Sequence, residues 1–324
     1  MQRFPMLCIT LKTLSTVKTN TFSLIAVLLQ VFVVLLLTSC HRQVDAEEFF
    51  YGDTIRAECP SGQTLKYVVT NANTNTLQLF GFNDKNHYQP GPLVIPGQVS
   101  YHGHTFSVES IRKKAFKRCE DITEVTIDDR ISVINRGVFK RCTGLTRAHL
   151  PASLTHIPTS LFARCENLVS VNIPSGVTVV GDCAFRRCRS LSEVVLPDSL
   201  RDIKYEAFYG CSSLRSVRIP DGVDSIRQRA FGNCRSLVSI RFPSTLRFIG
   251  DNAFMDCNAI TDVALPYGLE HIGDAAFCGC SSLKSVRFPA SLRHVGSWCF
   301  YACEHLSASR LPASVEEVGD HVFN

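Results

Sequence analysis

A phenylalanine recurs at every 23rd position from Phe116 to Phe323, passing through Phe139, Phe162, Phe185, Phe208, Phe231, Phe254, Phe277 and Phe300. Three residues further on, a cysteine keeps the same period through Cys119, Cys142, Cys165, Cys188, Cys211, Cys234, Cys257, Cys280 and Cys303. A fixed period of this size marks a solenoid, in which each unit buries its apolar face only against its neighbours. Such an array offers extended surfaces rather than deep clefts, so it favours binding over catalysis.

The unit from Leu191 to Cys211 shows how one period folds. Val194 and Leu196 alternate with other residues, the period-two pattern of a short strand, and Pro197 ends it because proline donates no hydrogen bond to a ladder. Leu200 and Ile203 return to the interior, and Ala207-Phe208 places a small residue and a ring before the chain turns back at Cys211. Each coil thus contributes one strand to a parallel sheet, with the Phe column on the opposite side of the core. The glycines before Ala-Phe or its variants (Gly181, Gly250, Gly273, Gly296 and Gly319) are expected to take a left-handed conformation. Pro158 occupies the same place and cannot, so a distortion is expected in its coil.

This unit resembles the bacterial leucine-rich repeat of BspA-like and treponemal surface proteins, whose consensus runs approximately L-x-x-V-x-I-P-x-x-V-x-x-I-G-x-x-A-F-x-x-C. The match runs from about Ile111 to Phe323. The resemblance implies a leucine-rich repeat solenoid of about nine full 23-residue repeats plus a shortened last one over residues 108–324. It also implies short parallel strands on a concave face, a surface location, and adhesion to host matrix proteins or other cells. Residues 40–107 lack the period. Leu65–Thr70 and Leu77–Phe80 read as a hairpin about the Asn71–Asn75 turn, and Leu93-Val-Ile-Pro96 imitates the repeat strand. This region reads as a tether followed by a small β cap over the first coil.

Phe22–Leu37 is an apolar run behind a basic stretch, too short for an ordinary membrane span, and it ends in Leu37-Thr38-Ser39-Cys40. That layout predicts a lipoprotein signal over residues 1–39, lipidation of Cys40, and anchorage of the exported protein to the bacterial outer membrane or cell surface. The competing readings are an uncleaved signal anchor and an ordinary cleavage site. Losing Arg3, Lys12 and Lys18 brings the formal charge of +5 close to neutral, which argues against a nucleic-acid partner.

Of the fifteen cysteines, nine lie at one repeat position, where a small buried filler is expected rather than a disulfide framework or metal site. Cys59, Cys183, Cys278 and Cys299 are off-phase. The positions flanking Val194 point away from the core. The second of them forms the column Thr126, His149, Asn172, Val195, Arg218, Arg241, Ala264, Arg287 and Arg310, with Arg215 and Lys284 nearby. Guanidinium groups stacked at the strand spacing suit the anionic groups of an extended partner, either a protein or an acidic glycan. The competing reading is a solvated charged face. His271, His294 and Glu317 share another column and form a weak metal-ligand candidate, with coincidence of exposed residues as its competitor. His102-Gly-His104 reads as a loop. Trp298, Phe300 and Phe323 mark the last coil, and no capping repeat follows them, so self-association as a homodimer through that end is expected.

No phosphate loop, nucleophile elbow or His-Glu-x-x-His helix is present, so neither enzyme activity nor a cofactor is expected. The sequence reading is a surface adhesin. A structural envelope protein assembling through its last coil stands second, and a hydrolase is a remote third.

Overall fold

Phenylalanine rings set the geometry of the repeat. In the computed structural model, which describes residues 48–324 apart from 86, 87, 308, 309 and 324, the ten rings from Phe116 to Phe323 stack in one column. Their centroids are 5.1–5.8 Å apart. All but Phe323 are buried. One ring per coil therefore fixes the rise of the chain along the array. Cys40, expected from the sequence to be lipidated, the expected signal segment 1–39 and most of the acidic stretch before Phe49 lie outside the described residues.

The cap comes first. Strands β1 (Thr54–Glu58), β2 (Thr64–Asn71), β3 (Thr76–Phe82), β4 (Gly91–Ile95), β5 (Gln98–Tyr101) and β6 (His104–Ile111) precede the first full coil. β2 and β3 form the expected antiparallel hairpin. The cap sheet runs β1-β2-β3-β6-β5. β4 leaves it and pairs in parallel with β7 (Ile122–Ile127), so Leu93-Val-Ile serves as the strand of a preliminary coil. Cap and repeats share one continuous apolar core. His102 lies in the turn joining β5 to β6.

Each coil carries two ladders rather than one. The expected ladder consists of strands of three residues, such as Ser216–Arg218 and Ser239–Arg241. It is interrupted: β4, β7, Arg147–His149 and Ser170–Asn172 form one sheet, and the coil containing Val195 contributes no strand to this ladder. Two further two-stranded pieces follow. The second ladder, of two residues per coil, runs unbroken through eight coils from His156–Ile157 to Glu317–Val318. Pro158 accounts for where it starts. In other coils the residue at this place donates its N–H to the Ile or Val one residue before the equivalent place in the preceding coil, as in Gly181 N to Ile157 O at 2.9 Å. Pro158 has no N–H to give Ile134, and β8 (Val133–Ile134) instead pairs only with β6.

The glycines before Ala-Phe do not take the left-handed conformation expected of them; none of the five has a positive φ. They are glycine because the coils approach closely there. A Cβ on Gly181 would lie 2.7 Å from Ile157 O, and one on Gly296 would lie 2.5 Å from Asp274 N. The left-handed residues are two positions before and two positions after each Phe. Examples are Glu206 (φ 51°) and Gly210 (φ 72°) about Phe208, and Arg229 (φ 56°) and Asn233 (φ 60°) about Phe231. Reversing φ at alternate residues turns successive N–H groups along the array axis. Glu206 N, Phe208 N and Gly210 N donate to Gln228 O, Ala230 O and Gly232 O of the next coil. Three backbone bonds per coil thus hold this edge together without regular secondary structure.

Candidate functional site: the arginine-bearing sheet face

The strand-face column forms as expected in four places. Thr126 stands opposite His149, His149 opposite Asn172, Arg218 opposite Arg241, and Ala264 opposite Arg287. Their flanking apolar residues Val217 and Val263 are buried, which turns the column itself to solvent. Arg215, Arg218, Arg241, Lys284, Arg287 and Arg310 are all exposed. Arg310 lies outside any strand, so it does not extend the registered column.

The face is less uniformly basic than the column alone implies. Arg218 Nη1 donates to Asp198 Oδ1 at 2.9 Å, a diagonal contact from the preceding coil's turn. That hydrogen bond, with the Asp198 and Asp221 charges, holds the guanidinium more firmly protonated. Asp262 stands between the arginines, opposite Ser285. It accepts a 2.6 Å hydrogen bond from Ser285 Oγ, and this bond, with Thr261 and the Lys284 and Arg287 charges, holds its carboxyl low. Next to Arg218 and Arg241, a shallow pocket is lined by Ile219, Asp221, Phe242, Pro243 and Ser244. Cations, carboxylates and a partly exposed ring alternate here, a mixture that suits a protein surface.

The His271, His294 and Glu317 column forms, but not as a metal site. The two imidazoles stack at 4.1 Å with planes 4° apart, and Phe248 stacks on His271 at 4.4 Å. Lone pairs in parallel ring planes do not converge on one ion. His294 Nδ1 instead lies 2.7 Å from Glu317 Oε2. Among the described residues, no three ligating side chains gather as a metal site would require.

The in-phase cysteines are buried and all thirteen described cysteines are free thiols. From Cys142 to Cys303, each S–H donates to the carbonyl of the Phe 26 residues earlier, at 3.0–3.3 Å. That carbonyl also accepts an N–H within its own coil, as Phe208 O does from Cys211 N. The thiol therefore fills a small space and supplies a second donor. Burial is the leading cause that pushes these thiols up, Cys165 and Cys211 to about 12. The half-buried off-phase thiols Cys183 and Cys278 are also raised, by burial and then by the nearby carboxylates Glu206 and Asp256. None of these raised thiols is activated as a nucleophile.

At the last coil, Phe300 is buried between Phe277 and Phe323, so it presents no surface for self-association, contrary to its sequence assignment. Trp298 is partly exposed, edge-on to Tyr301 and tilted against His321 at 4.5 Å. Phe323 is half-buried.

Sequence reasoning missed Glu206. Its side chain is buried at a left-handed position, with Tyr205 Oη 3.0 Å from Oε1 and Arg186 Nε 2.6 Å from Oε2. A single Glu in one coil has no repeat signal to reveal it.

The comparisons agree with this architecture. The chain is similar to a leucine-rich repeat protein of T. pallidum, with 26% identity, a TM-score of 0.53, and coverage of 66% of this chain and 91% of that one. It is also similar to a leucine-rich repeat protein from Bacteroides ovatus, with 25% identity, a TM-score of 0.51, and coverage of 80% and 90% respectively. No curated protein matches it in sequence. The BspA type leucine rich repeat region matches in six copies across residues 104–215 and 202–324, and the chain belongs to that family.

Proposed function

We propose that this protein is a cell-surface binding protein, and that its strand face engages an acidic segment of a partner protein. The observation carrying this reading is the exposed, registered pair Arg218 and Arg241, continued by Arg287 and flanked by Arg215 and Lys284. Alternation with Asp198, Asp221 and Asp262 supports a protein partner over a uniform polyanion, because a mixed pattern fixes register as well as sign. Attachment through a lipid on Cys40 would place this face outside the cell, following the apolar run that ends in Leu37-Thr38-Ser39-Cys40. Leucine-rich repeat solenoids are typically binding scaffolds, which supports such a role.

The test is a binding screen of the full chain against immobilised matrix proteins, repeated with Arg241→Ser/Arg287→Ser. Weaker binding with unaltered thermal stability supports the reading. Unchanged affinity and salt dependence place the adhesive surface elsewhere.

A further inference from the structure

A second basic surface lies on the turn edge of the array, away from the strand face, and shares no residue with the strand columns. Arg118, Arg141, Arg164 and Arg187 occupy the left-handed position two residues after Phe in four successive coils, with φ between 60° and 65°. Their backbones are locked in register: Arg118 N donates to Lys140 O, Arg141 N to Ala163 O, Arg164 N to Arg186 O and Arg187 N to Tyr209 O, at 2.7–3.0 Å. The stacked rings beneath them are 5.5–5.8 Å apart, which sets the pitch of the row. Lys117 and Lys140 add charge beside the first two members.

Unlike the strand face, this row is uncompensated. Among the described residues, no carboxylate forms an ion pair with any of these six side chains. Glu166, the carboxylate that acts on Arg164, is bound by Arg189 at 3.0 Å. Crowding leaves its mark: partial desolvation first, and then the charges of Lys114, Arg118, Lys140 and Arg141, lower the affinity of Lys117 for its proton. Arg164 is affected the same way, by desolvation and then by Arg141, Arg187 and Arg186. Holding like charges side by side costs free energy that a matching anion would recover.

The row also has a defined end. In the next coil the position is Gly210, and the missing side chain opens a hollow of about 280 Å³. Arg187, Arg189, Tyr209, Ser212, Asn233 and Arg235 line it.

We propose that this edge is a binding rail for a linear acidic polysaccharide, whose sulfate or carboxylate groups lie along the arginine row and end in the hollow at Gly210. The single-file arrangement at a nearly constant pitch fits an extended polymer. Guanidinium forks match sulfate and carboxylate oxygens in pairs. Single-stranded nucleic acid would use aromatic platforms interleaved with the charges, and a membrane would use exposed apolar side chains to enter the headgroup layer. None of the exposed large apolar residues falls in segments 112–118, 136–141, 160–166 or 183–189.

The test measures binding of the purified full chain to size-defined heparin and to polygalacturonate, with single-stranded DNA and phosphatidylglycerol vesicles as competing probes. Arg141→Asn/Arg164→Asn is the informative variant, since this column already carries Asn233 at φ 60° and asparagine tolerates that conformation. Binding to at least one polysaccharide should weaken by about tenfold or more, equivalent to ~1.4 kcal/mol. It should also become less steeply salt-dependent, with the melting temperature unchanged. Arg141→Lys/Arg164→Lys should retain part of the binding, and Arg241→Ser/Arg287→Ser should retain all of it, which separates this rail from the strand face. The proposal is overturned if neither polysaccharide binds, if DNA or vesicles bind as well as the polysaccharides, or if the asparagine variant binds as the parent does.

Discussion

Phe208 is the most informative residue to remove. Its ring is wholly buried, 5.1 Å from Phe185 and 5.2 Å from Phe231. An aromatic side chain buries ~150–250 Å², and at ~25 cal/mol per Å² that is roughly 4–6 kcal/mol of transfer free energy. Alanine keeps a small part of that area, while the vacated space adds a cavity penalty. Phe208→Ala should therefore cost ~3–5 kcal/mol. Both stacking partners are lost at once, and no distant part of the chain compensates, because solenoid stability is a sum over neighbouring coils. The loss should appear as a split or broadened thermal transition and as faster amide exchange at Phe185, Phe208 and Phe231, whose N–H groups bond to Ala207, Ala230 and Ala253 of the next coil. Exchange near Phe139 and Phe277 should change little. A variant with an unaltered melting curve and unaltered exchange in these coils would refute the ring column as the spine of the array.

Gly296→Ala and Gly296→Asn should destabilise to a similar degree, by ~1–3 kcal/mol each in chemical denaturation, because the coils are too close for any Cβ there; a well-tolerated asparagine would restore the left-handed reading. Native-state thiol labelling should modify Cys278 and Cys183 ahead of the in-phase cysteines, which are buried; uniform labelling without unfolding would contradict the thiol ladder. Burial, and then the His294 charge, lower the pKa of His271 below its ordinary 6.5 against the opposing pull of Asp251, Asp274 and Glu317. The unfolded chain then binds the proton more readily, so stability is lost as pH falls through and below 6.5. His271→Phe should flatten that part of the stability–pH profile, and an unchanged slope would show that His271 does not contribute to it.

The repeat was legible because its signal is periodic: one ring, one thiol and one strand per 23 residues. What escaped was set by backbone conformation rather than residue type. The left-handed positions carry Lys, Ser, Cys, Glu, Arg, Asn, Ala, Trp and His as readily as Gly, because inter-coil hydrogen bonds fix φ there and leave the side chain free. The glycines that do recur answer to spacing between coils, which a single unit cannot reveal. Reading columns along the array found Arg218, but its partner Asp198 lies diagonally, 20 residues away, and no column contains both. The arginine row at the turn edge escaped for a related reason. In sequence its positions read as a turn leading to Cys, and only the backbone register between coils makes them a surface.

The strand face is proposed to bind a partner through its arginines. That binding is tested most directly by titrating the full chain and Arg241→Ser/Arg287→Ser, across a range of salt concentrations, against the same immobilised partner selected by the binding screen. Affinity of the parent should fall steeply with salt, since exposed charges are screened over ~8 Å at physiological ionic strength, and the variant should bind more weakly, with a flatter salt dependence, at equal stability. Identical affinity and salt slope for the two proteins would contradict this role of the arginines.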